Sequence, residues 1–340
     1  MRIALTVDPE IAVPPIHYGG IERIVDFLVT EYNKLGHEVY LYANGDSRKD
    51  CNLKIWPGKS STKKLDTIKN TLFLSKGFIK YKFDIVHSFS RLAYLALILP
   101  LGAKCIMSYQ REPTLSQIIQ ANKLAFKKNL IFTGCSDYIT NQIKSYVEAF
   151  TIYNGVDIKL FNLNNQVDTN APLVFLGRIE PIKGTHNAIK LARAVNKNLI
   201  IAGNIPTEYQ YYFEKEIKPQ LDNKITYIGP VNDKEKTILL KNALALLMLI
   251  EWNEPFGIVM AEAMACGTPV LGTPRGAVNE VVINGENGYL GEDISTWIER
   301  IEKIDQIDRS KVRIDAERRF SSEVISNKYL QLYTSLIKRR

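Results

Sequence analysis

Short apolar runs alternate with segments of helical periodicity along most of this chain. Residues 2–7 form the first apolar run, and residues 38–43 form the second. Between them, apolar side chains recur at helical spacing until Gly36, at positions Ile21, Ile24, Val25, Leu28, Tyr32 and Leu35. That spacing is typical of one face of a helix, and glycine is a frequent helix stop. The chain is therefore predicted to begin with a β-α-β unit and a parallel sheet.

The same alternation continues in two series. The first is extended by apolar runs at residues 84–87, 104–108 and 130–134. The second consists of runs at residues 173–176, 199–202, 225–228, 243–250 and 269–271. We place the domain junction at the turn dipeptide Asn154-Gly155 and the polar stretch 162–170 that follows it. The predicted fold class is α/β, with two Rossmann-like doubly wound domains at residues 1–155 and 156–320.

Composition agrees with two such domains. A chain of 340 residues with 46% hydrophobic content is long enough for two separate cores. A strand follows Met1-Arg2 directly, so no secretory signal is expected, and the apolar stretch 92–103 is too short to span a bilayer. Four scattered cysteines indicate neither a disulfide framework nor a zinc site. We expect a cytoplasmic protein, or one peripheral on the inner face of the cytoplasmic membrane.

The formal net charge of +8 is distributed unevenly. One lysine-rich segment has only Asp66 and Asp84 as acids, and contains Lys54, Lys59, Lys63, Lys64, Lys69, Lys76, Lys80 and Lys82. A second basic group is Lys123, Lys127 and Lys128. These lysines form either a solvated helical face or a surface for anionic lipid headgroups or a phosphorylated acceptor. No nucleic-acid-binding module accompanies the charge, so nucleic acid is not an expected partner.

Two carboxylates, Glu254 and Glu262, follow the apolar run 243–250. Gly257 marks the predicted start of a helix, where free backbone N–H groups and the helix dipole favour an anion. Glu262 lies inside this mostly apolar helix, and a buried carboxylate needs hydrogen-bond donors. Ligand hydroxyls or a structural arginine are the two candidate sources.

Two loops that contain glycine are the other candidates for ligand contact. Arg178 and Lys183 lie in a loop between a strand and a helix, where a planar guanidinium and a compact ammonium suit one diphosphate. In the first domain, Gly19 and Gly20 lead into a helix, and glycines there let the backbone approach a phosphate closely.

Together these residues resemble the signature of the family-four retaining glycosyltransferases, the glycosyl transferases of group 1. The matching elements are Glu-x7-Glu with Pro255-Phe256-Gly257 after the first acid, Ala265-Cys266-Gly267-Thr268-Pro269-Val270 after the second, and Gly177-Arg178-x4-Lys183-Gly184. The resemblance implies the GT-B architecture, in which two Rossmann-like domains face a central cleft. It also implies a last helix, about residues 321–340, that crosses back to the first domain.

The resemblance assigns roles to individual residues. Arg178 and Lys183 would stabilise the charge that grows on the leaving nucleoside diphosphate, and Glu254 would face the hydroxyls of the donor sugar. Glu262 would face the ribose of the nucleotide. Backbone groups would make the other donor contacts, at Phe256, Gly257, Ile258, Gly19, Gly20, Gly177 and Gly203.

One position departs from the family pattern. Many relatives have a histidine after the strand that corresponds to residues 104–108, where it contacts the donor sugar. Gln110 occupies that place here, and a glutamine forms hydrogen bonds to hydroxyls but does not titrate. His17 and Asn154 are the other candidates for sugar or acceptor contact.

The resemblance implies a retaining hexosyltransferase that uses a nucleotide-diphosphate sugar, with UDP favoured and GDP next. The acceptor would be a hydroxyl of a saccharide or of a lipid-linked molecule, in the synthesis of a surface polysaccharide or glycoconjugate. Front-face displacement requires no cofactor and no metal ion. Two alternatives remain open: a nucleotide-sugar epimerase on the same fold, and a non-catalytic partner subunit that binds nucleotide sugar.

Overall fold

The computed structural model describes residues 1–16, 19–168 and 170–339. The chain divides into two units, of which unit 1 comprises Met1–Asn154 with Ser322–Arg340 and unit 2 comprises Gly155–Ser321. The change of unit comes at Asn154-Gly155, and the polar stretch after residue 161 belongs to unit 2.

Both units contain a parallel sheet. The strands of unit 1 are β1 (Arg2–Thr6), β2 (Glu38–Ala43), β3 (Asn52–Ile55), β4 (Ile85–Ser88), β5 (Cys105–Tyr109), β6 (Leu130–Gly134) and β7 (Ala149–Thr151). Those of unit 2 are β8 (Leu173–Leu176), β9 (Leu199–Ala202), β10 (Ile225–Tyr227), β11 (Ala245–Met248), β12 (Val270–Gly272) and β13 (Gly288–Leu290). Every strand pair within the two sheets is parallel.

Helices connect the strands. In chain order they are α1 (Gly20–Lys34), α2 (Lys64–Tyr81), α3 (Leu115–Leu124), α4 (Asp137–Asn141), α5 (Thr185–Ala194), α6 (Gln210–Tyr212), α7 (Asp233–Lys241), α8 (Ile258–Ala265), α9 (Val278–Val281), α10 (Ile294–Ile301), α11 (Arg309–Phe320) and α12 (Ser322–Ile337). Short 3-10 turns lie at Leu92–Leu95, Phe126–Lys128, Ile158–Leu160, Pro181–Lys183, Thr207–Tyr209, Lys218–Gln220 and Ile304–Gln306, and a π-helical turn lies at Phe213–Ile217. Within the described ranges, no helix is both long and apolar enough to cross a bilayer.

The predicted α/β class is confirmed, and each of the ten predicted apolar runs overlaps a strand. The sheet order is β3-β2-β1-β4-β5-β6-β7 in unit 1 and β10-β9-β8-β11-β12-β13 in unit 2. The three strands that the sequence did not predict, β3, β7 and β13, all lie at sheet edges. An edge strand has a hydrogen-bonded neighbour on one side only, and β3 has exposed ends and carries Lys54.

A buried chain of hydrogen bonds fixes α12 to the sheet of unit 1. The hydroxyl of Tyr333 lies 3.0 Å from that of Tyr32 on α1 and 2.6 Å from Nδ1 of His87 on β4. Nε2 of His87 lies 2.7 Å from Oγ of Ser108 on β5. Burial lowers the pKa of His87 to about 3, so the ring is neutral and bonds on both nitrogens. His87 is therefore a packing residue of the core.

We expect Tyr333→Phe to loosen this anchor. The substitution leaves a buried ring nitrogen and a buried hydroxyl without a partner, and each such group costs about 1–3 kcal/mol. Amide hydrogen exchange in β4 and β5 should accelerate, while Tyr146→Phe, at a tyrosine that is 57% exposed, should leave it unchanged. Equal exchange rates in Tyr333→Phe and the wild type would contradict the anchoring role.

Candidate functional site

The order of strands reverses at one point in each sheet. In unit 2 the chain moves outward from β8 in one direction and from β11 in the other, so these neighbours mark the switch point. The corresponding pair in unit 1 is β1 and β4. Loops that leave such a pair diverge to opposite faces of the sheet, and the crevice between them at the carboxyl ends is the usual binding place in this kind of fold. Arg178 and Lys183 follow β8, and Glu254 follows β11.

The switch point of unit 2 brings Lys183 and Glu254 together. Nζ of Lys183 donates to Oε2 of Glu254 at 2.6 Å, and Nε1 of Trp252 donates to the same oxygen at 3.0 Å. The ammonium also lies 4.3 Å from the centre of the Trp252 ring, which adds a cation–π attraction. An ammonium has three donors and this bond uses one, so Lys183 retains the capacity to bind an anion. Trp252 positions both charges, and the sequence did not indicate it.

The second cation of the loop also has a carboxylate beside it. Nη2 of Arg178 forms an ion pair with Oε1 of Glu180 at 2.8 Å, and the side chain of Glu180 is almost fully buried. Arg178 itself keeps 34% of its side chain exposed. The pairing fixes the guanidinium at the end of β8 and offsets part of the positive charge predicted for this loop.

The two loops are also joined through their backbones. The N–H of Glu251 donates to the carbonyl of Ile182 at 2.8 Å. Gly184, with φ +74°, passes so close to the carbonyl of Leu249 that an added Cβ would lie 1.9 Å from its oxygen. Only glycine fits this crossing, which explains the glycine after Lys183.

Side chains on α5 hold the carboxylate of Glu251 beside this crossing. Oε1 of Glu251 lies 2.9 Å from Nε2 of His186 and accepts from Nδ2 of Asn187 at 3.1 Å. Burial tends to raise the pKa of Glu251, but these hydrogen bonds outweigh it and the pKa is lowered. Nδ1 of His186 in turn lies 2.7 Å from the hydroxyl of Tyr212. The contacts of Glu251 with α5 thus fix the start of the segment that carries Trp252 and Glu254.

Glu262 has a protein partner that the sequence did not reveal. It is 4% exposed on α8, and Nζ of Lys236 on α7 donates to its Oε1. The protein donor is therefore a lysine and not the structural arginine considered from the sequence. Arg309 is a buried arginine of the same unit, but it donates to the backbone carbonyls of Asn164, Ala243 and Lys241. Lys236 is itself only 8% exposed, so the two charges depend on each other.

Among the described residues, no side-chain hydrogen bond caps the start of α8. Gly257 precedes the helix with φ +74°, and the side chain of Phe256 is buried edge-on against Phe320 with ring centres 5.6 Å apart. Any ligand contact at Phe256 is consequently limited to its backbone. Gly276 packs on the backbone of Glu254, where an added Cβ would lie 2.4 Å from the carbonyl oxygen.

Gly177 and Gly203 differ in what they require. An added Cβ at Gly203, where φ is +144°, would lie 1.7 Å from the carbonyl oxygen of Gly177, so that glycine is needed by the fold. A Cβ at Gly177 would only touch the ring of Phe175, at 3.7 Å. Packing within the chain therefore does not explain the glycine at position 177.

In unit 1, Glu22 lies beside Gly19 and interacts with two further acids, Asp8 and Glu10. Burial raises the pKa of Glu22 to about 7, helped by repulsion from Asp8 and Glu10 and opposed by its own backbone N–H. Burial, followed by the charge of Glu10, raises the pKa of Asp8 to about 6, against the attraction of Arg111 and Arg91. Gly20 opens α1, and a Cβ there would meet nothing within 4 Å.

Two predicted contact residues in unit 1 contain buried polar atoms without a hydrogen-bond partner among the described residues. They are Nε2 of Gln110, directly after β5, and Oδ1 of Asn154, three residues after β7. An unsatisfied buried group costs about 1–3 kcal/mol, which a ligand hydroxyl would recover. His17, the third predicted contact, lies outside the described residues, as does Tyr18.

Sequence comparisons match both halves of the chain. The family profile described as glycosyl transferases group 1 matches residues 158–323, and the profile described as glycosyltransferase family 4 matches residues 18–160. One relative is the N-acetyl-alpha-D-glucosaminyl L-malate synthase of Bacillus anthracis, which is 21% identical over 67% of this chain. The match covers 64% of that relative, so the chain spans less than two thirds of its length. The capsular polysaccharide biosynthesis glycosyltransferase CapM of Staphylococcus aureus is 24% identical over 70% of this chain and 67% of its own.

Solved structures extend the likeness over nearly the whole chain. AviGT4, a glycosyltransferase involved in avilamycin A biosynthesis, is 25% identical with a TM-score of 0.76, covering 99% of this chain and 98% of its own. Anabaena HepE, solved in complex with UDP and glucose, is 18% identical with a TM-score of 0.74, covering 98% of this chain and 100% of its own. These neighbours have the GT-B fold.

We expect the acids of unit 1 to make its stability fall as the pH rises. Between the ordinary pKa of Glu22, 4.5, and its folded value of about 7, the folded state keeps a proton that the unfolded state releases. The free energy of unfolding therefore decreases through that window and levels off above it. The free energy of unfolding should differ less between pH 5 and pH 8 in Glu22→Gln than in the wild type, by on the order of 2 kcal/mol.

Urea unfolding at several pH values measures this effect. Glu323→Gln, at an exposed glutamate of the same unit, is the matched control and should keep the wild-type pH dependence. A Glu22→Gln profile that is parallel to the wild type would show that Glu22 ionises normally in the folded protein.

Proposed function

Because the chain belongs to the glycosyl transferases of group 1 and has their GT-B fold, we propose that it transfers a sugar from a nucleotide-diphosphate sugar to an acceptor hydroxyl. The observation that carries the proposal is the meeting of Lys183 and Glu254 at the switch point of unit 2, next to the first turn of α8. Cationic side chains and free backbone N–H groups at one place suit a diphosphate, and a fixed carboxylate beside them suits sugar hydroxyls.

In the proposed reaction the bond between the anomeric carbon and the β-phosphate oxygen breaks while a bond to the acceptor oxygen forms on the same face. The acceptor proton passes to the leaving phosphate, and the anomeric configuration is retained. Arg178 and Lys183 stabilise the charge that develops on the leaving group, and preorganised donors of this kind are usually the largest catalytic contribution. Glu254 orients the donor sugar, and Trp252 holds Glu254 and Lys183 in place.

The proposed donor is a UDP-sugar, with a GDP-sugar as the next choice. The complexes of HepE with UDP and glucose support the first choice. We propose no metal requirement, because Arg178 and Lys183 of the β8 loop supply the positive charge that a bound metal ion would otherwise provide.

The proposed acceptor is a saccharide or a lipid-linked molecule, in the synthesis of a surface polysaccharide or glycoconjugate. CapM, a capsular polysaccharide enzyme by its name, supports this class. Gln110 and Asn154 supply buried polar atoms that would bind hydroxyls of sugar or acceptor. A lipid-linked acceptor would place the enzyme at a membrane surface.

Thermal unfolding with millimolar UDP, GDP and ADP tests the donor site, because a ligand that binds the folded state alone raises the melting temperature. We expect a shift with UDP that Gly177→Ala loses while its melting temperature without nucleotide stays at the wild-type value. The fold accepts that Cβ, so the loss reports ligand approach. Gly203→Ala is the contrasting variant, since it should lower the melting temperature itself. No shift of the wild-type protein with any of the three nucleotides would overturn the proposal in favour of a non-donor role.

Donor hydrolysis in the absence of acceptor tests the catalytic set. We expect Lys183→Ala and Arg178→Ala to lower the rate by about a hundredfold or more, because each removes a donor to the leaving group. A chelator should leave the wild-type rate unchanged, and the released sugar should have the anomeric configuration of the donor. Inversion of configuration, or inactivation by the chelator, would contradict the proposed mechanism. Melting temperatures of the variants separate lost catalysis from lost folding.

A further inference from the structure

Helix α2 of unit 1 exposes apolar side chains where a water-facing helix normally has polar ones. Leu65, Ile68, Leu72 and Ile79 are 73%, 55%, 48% and 66% exposed. Their spacing of three, four and seven residues places them on one stripe of the helix. Four large aliphatic side chains on one exposed stripe are unusual for a surface that contacts only water.

The opposite face of α2 is buried and largely polar. Asn70 is fully buried, where it accepts from the N–H of Gly58 at 2.8 Å and donates to the carbonyl of Gly58 and the hydroxyl of Tyr94, both at 3.2 Å. Oγ1 of Thr71 donates to the carbonyls of Thr67 and Ala93. The inward polar groups thus have specific partners, and α2 is inverted relative to an ordinary amphipathic helix.

Close packing prevents α2 from rotating its apolar stripe inward. Gly77 lies against the hydroxyl of Tyr42 on β2, and a Cβ at that position would be 1.8 Å from the oxygen. Turning the helix about its axis would bring a larger side chain against Tyr42 and would break the hydrogen bonds of Asn70. The exposure of the stripe is therefore built into the fold.

Lysines flank the apolar stripe on both sides. By helical periodicity, Lys69, Lys76 and Lys80 lie along one flank and Lys64 along the other. All four are exposed. The helix has one acid, Asp66, which lies 3.7 Å from Lys69. An apolar stripe with cationic borders is complementary to a layer that presents anionic headgroups over hydrocarbon.

A neighbouring segment of unit 1 repeats this combination. The 3-10 turn Leu92–Leu95, whose Ala93 bonds to α2, leads to a loop in which the carbonyl of Leu99 accepts from the N–H of Phe126 at 3.2 Å. Exposed apolar residues of this segment are Leu97, Leu101, Leu124 and Phe126. The exposed lysines among them are Lys123, Lys127 and Lys128.

We propose that the exposed face of α2 docks unit 1 on an anionic membrane surface. The aliphatic stripe enters the boundary between headgroups and acyl chains, and the flanking lysines meet anionic headgroups. This docking would bring the enzyme to a lipid-linked acceptor in the membrane, so its biological purpose rests on the proposed function. Docking itself requires no catalysis and is measured without turnover.

Sedimentation of the full chain with lipid vesicles tests the proposal. We expect binding to vesicles of phosphatidylcholine mixed with phosphatidylglycerol, and little binding to phosphatidylcholine alone. Ile68→Asp should weaken binding at least about tenfold, because it places a charge in the apolar stripe. Lys76→Ala should weaken it about fivefold, the effect of one lysine near an anionic surface.

Matched controls come from α11 of unit 2. Ile314→Asp changes an isoleucine that is 60% exposed on another helix, and Lys311→Ala removes another exposed helical lysine. Both should bind vesicles as the wild type does. All four substitutions are at exposed positions, and melting temperatures check that each variant is folded.

Three outcomes would overturn the proposal: no sedimentation of the wild type with anionic vesicles, equal weakening by Ile68→Asp and Ile314→Asp, or a dimer without vesicles that Ile68→Asp dissociates. The last would identify the face as a contact between two copies. The UDP-induced thermal shift, measured on the same samples, separates this result from the proposed function, since its site lies in unit 2. If the protein shows the UDP-induced thermal shift but does not bind vesicles, the docking proposal is refuted and the proposed function is not.

Discussion

The ion pair between Lys183 and Glu254 joins residues that are 71 positions apart, and it exists because β8 and β11 are neighbours in the sheet. A largely buried ion pair contributes little by itself, since desolvation offsets the attraction. Here the indole of Trp252 binds both partners, and the close crossing at Gly184 fixes the two loops against each other. The arrangement of the rest of the candidate site follows from this junction.

The central strands were predictable from sequence because they are buried on both faces and read as continuous apolar runs. The edge strands β3, β7 and β13 were not, because each has only three or four residues and includes partly exposed positions. The fourth edge strand, β10, was predicted from its apolar run. The change of unit falls at Asn154-Gly155, a dipeptide with the chemistry of a turn. The polar stretch after it looked like a linker, yet it packs within unit 2, where backbone carbonyls of Phe161 and Asn164 accept hydrogen bonds from α11 arginines.

For the candidate site, the sequence indicated the charged residues but not their partners. Arg178, Lys183 and Glu254 stand out because their spacing and neighbouring glycines form a pattern. Glu180, Lys236 and Trp252 belong to no pattern, and their importance depends on which loops the sheet brings together. The inverted face of α2 was likewise hidden, because a lysine-rich segment with scattered aliphatic residues does not reveal which side is buried. Only the packing of Gly77 and Asn70 determines that orientation.

The anchoring of α12 determines the order in which the two units mature during synthesis. Unit 2 is continuous, so all of its strands are synthesised before α12. Unit 1 begins first, but His87 and Ser108 remain without the hydroxyls of Tyr329 and Tyr333 until the last helix emerges. The amino-terminal unit therefore completes its core after the carboxyl-terminal one, the reverse of the usual vectorial order.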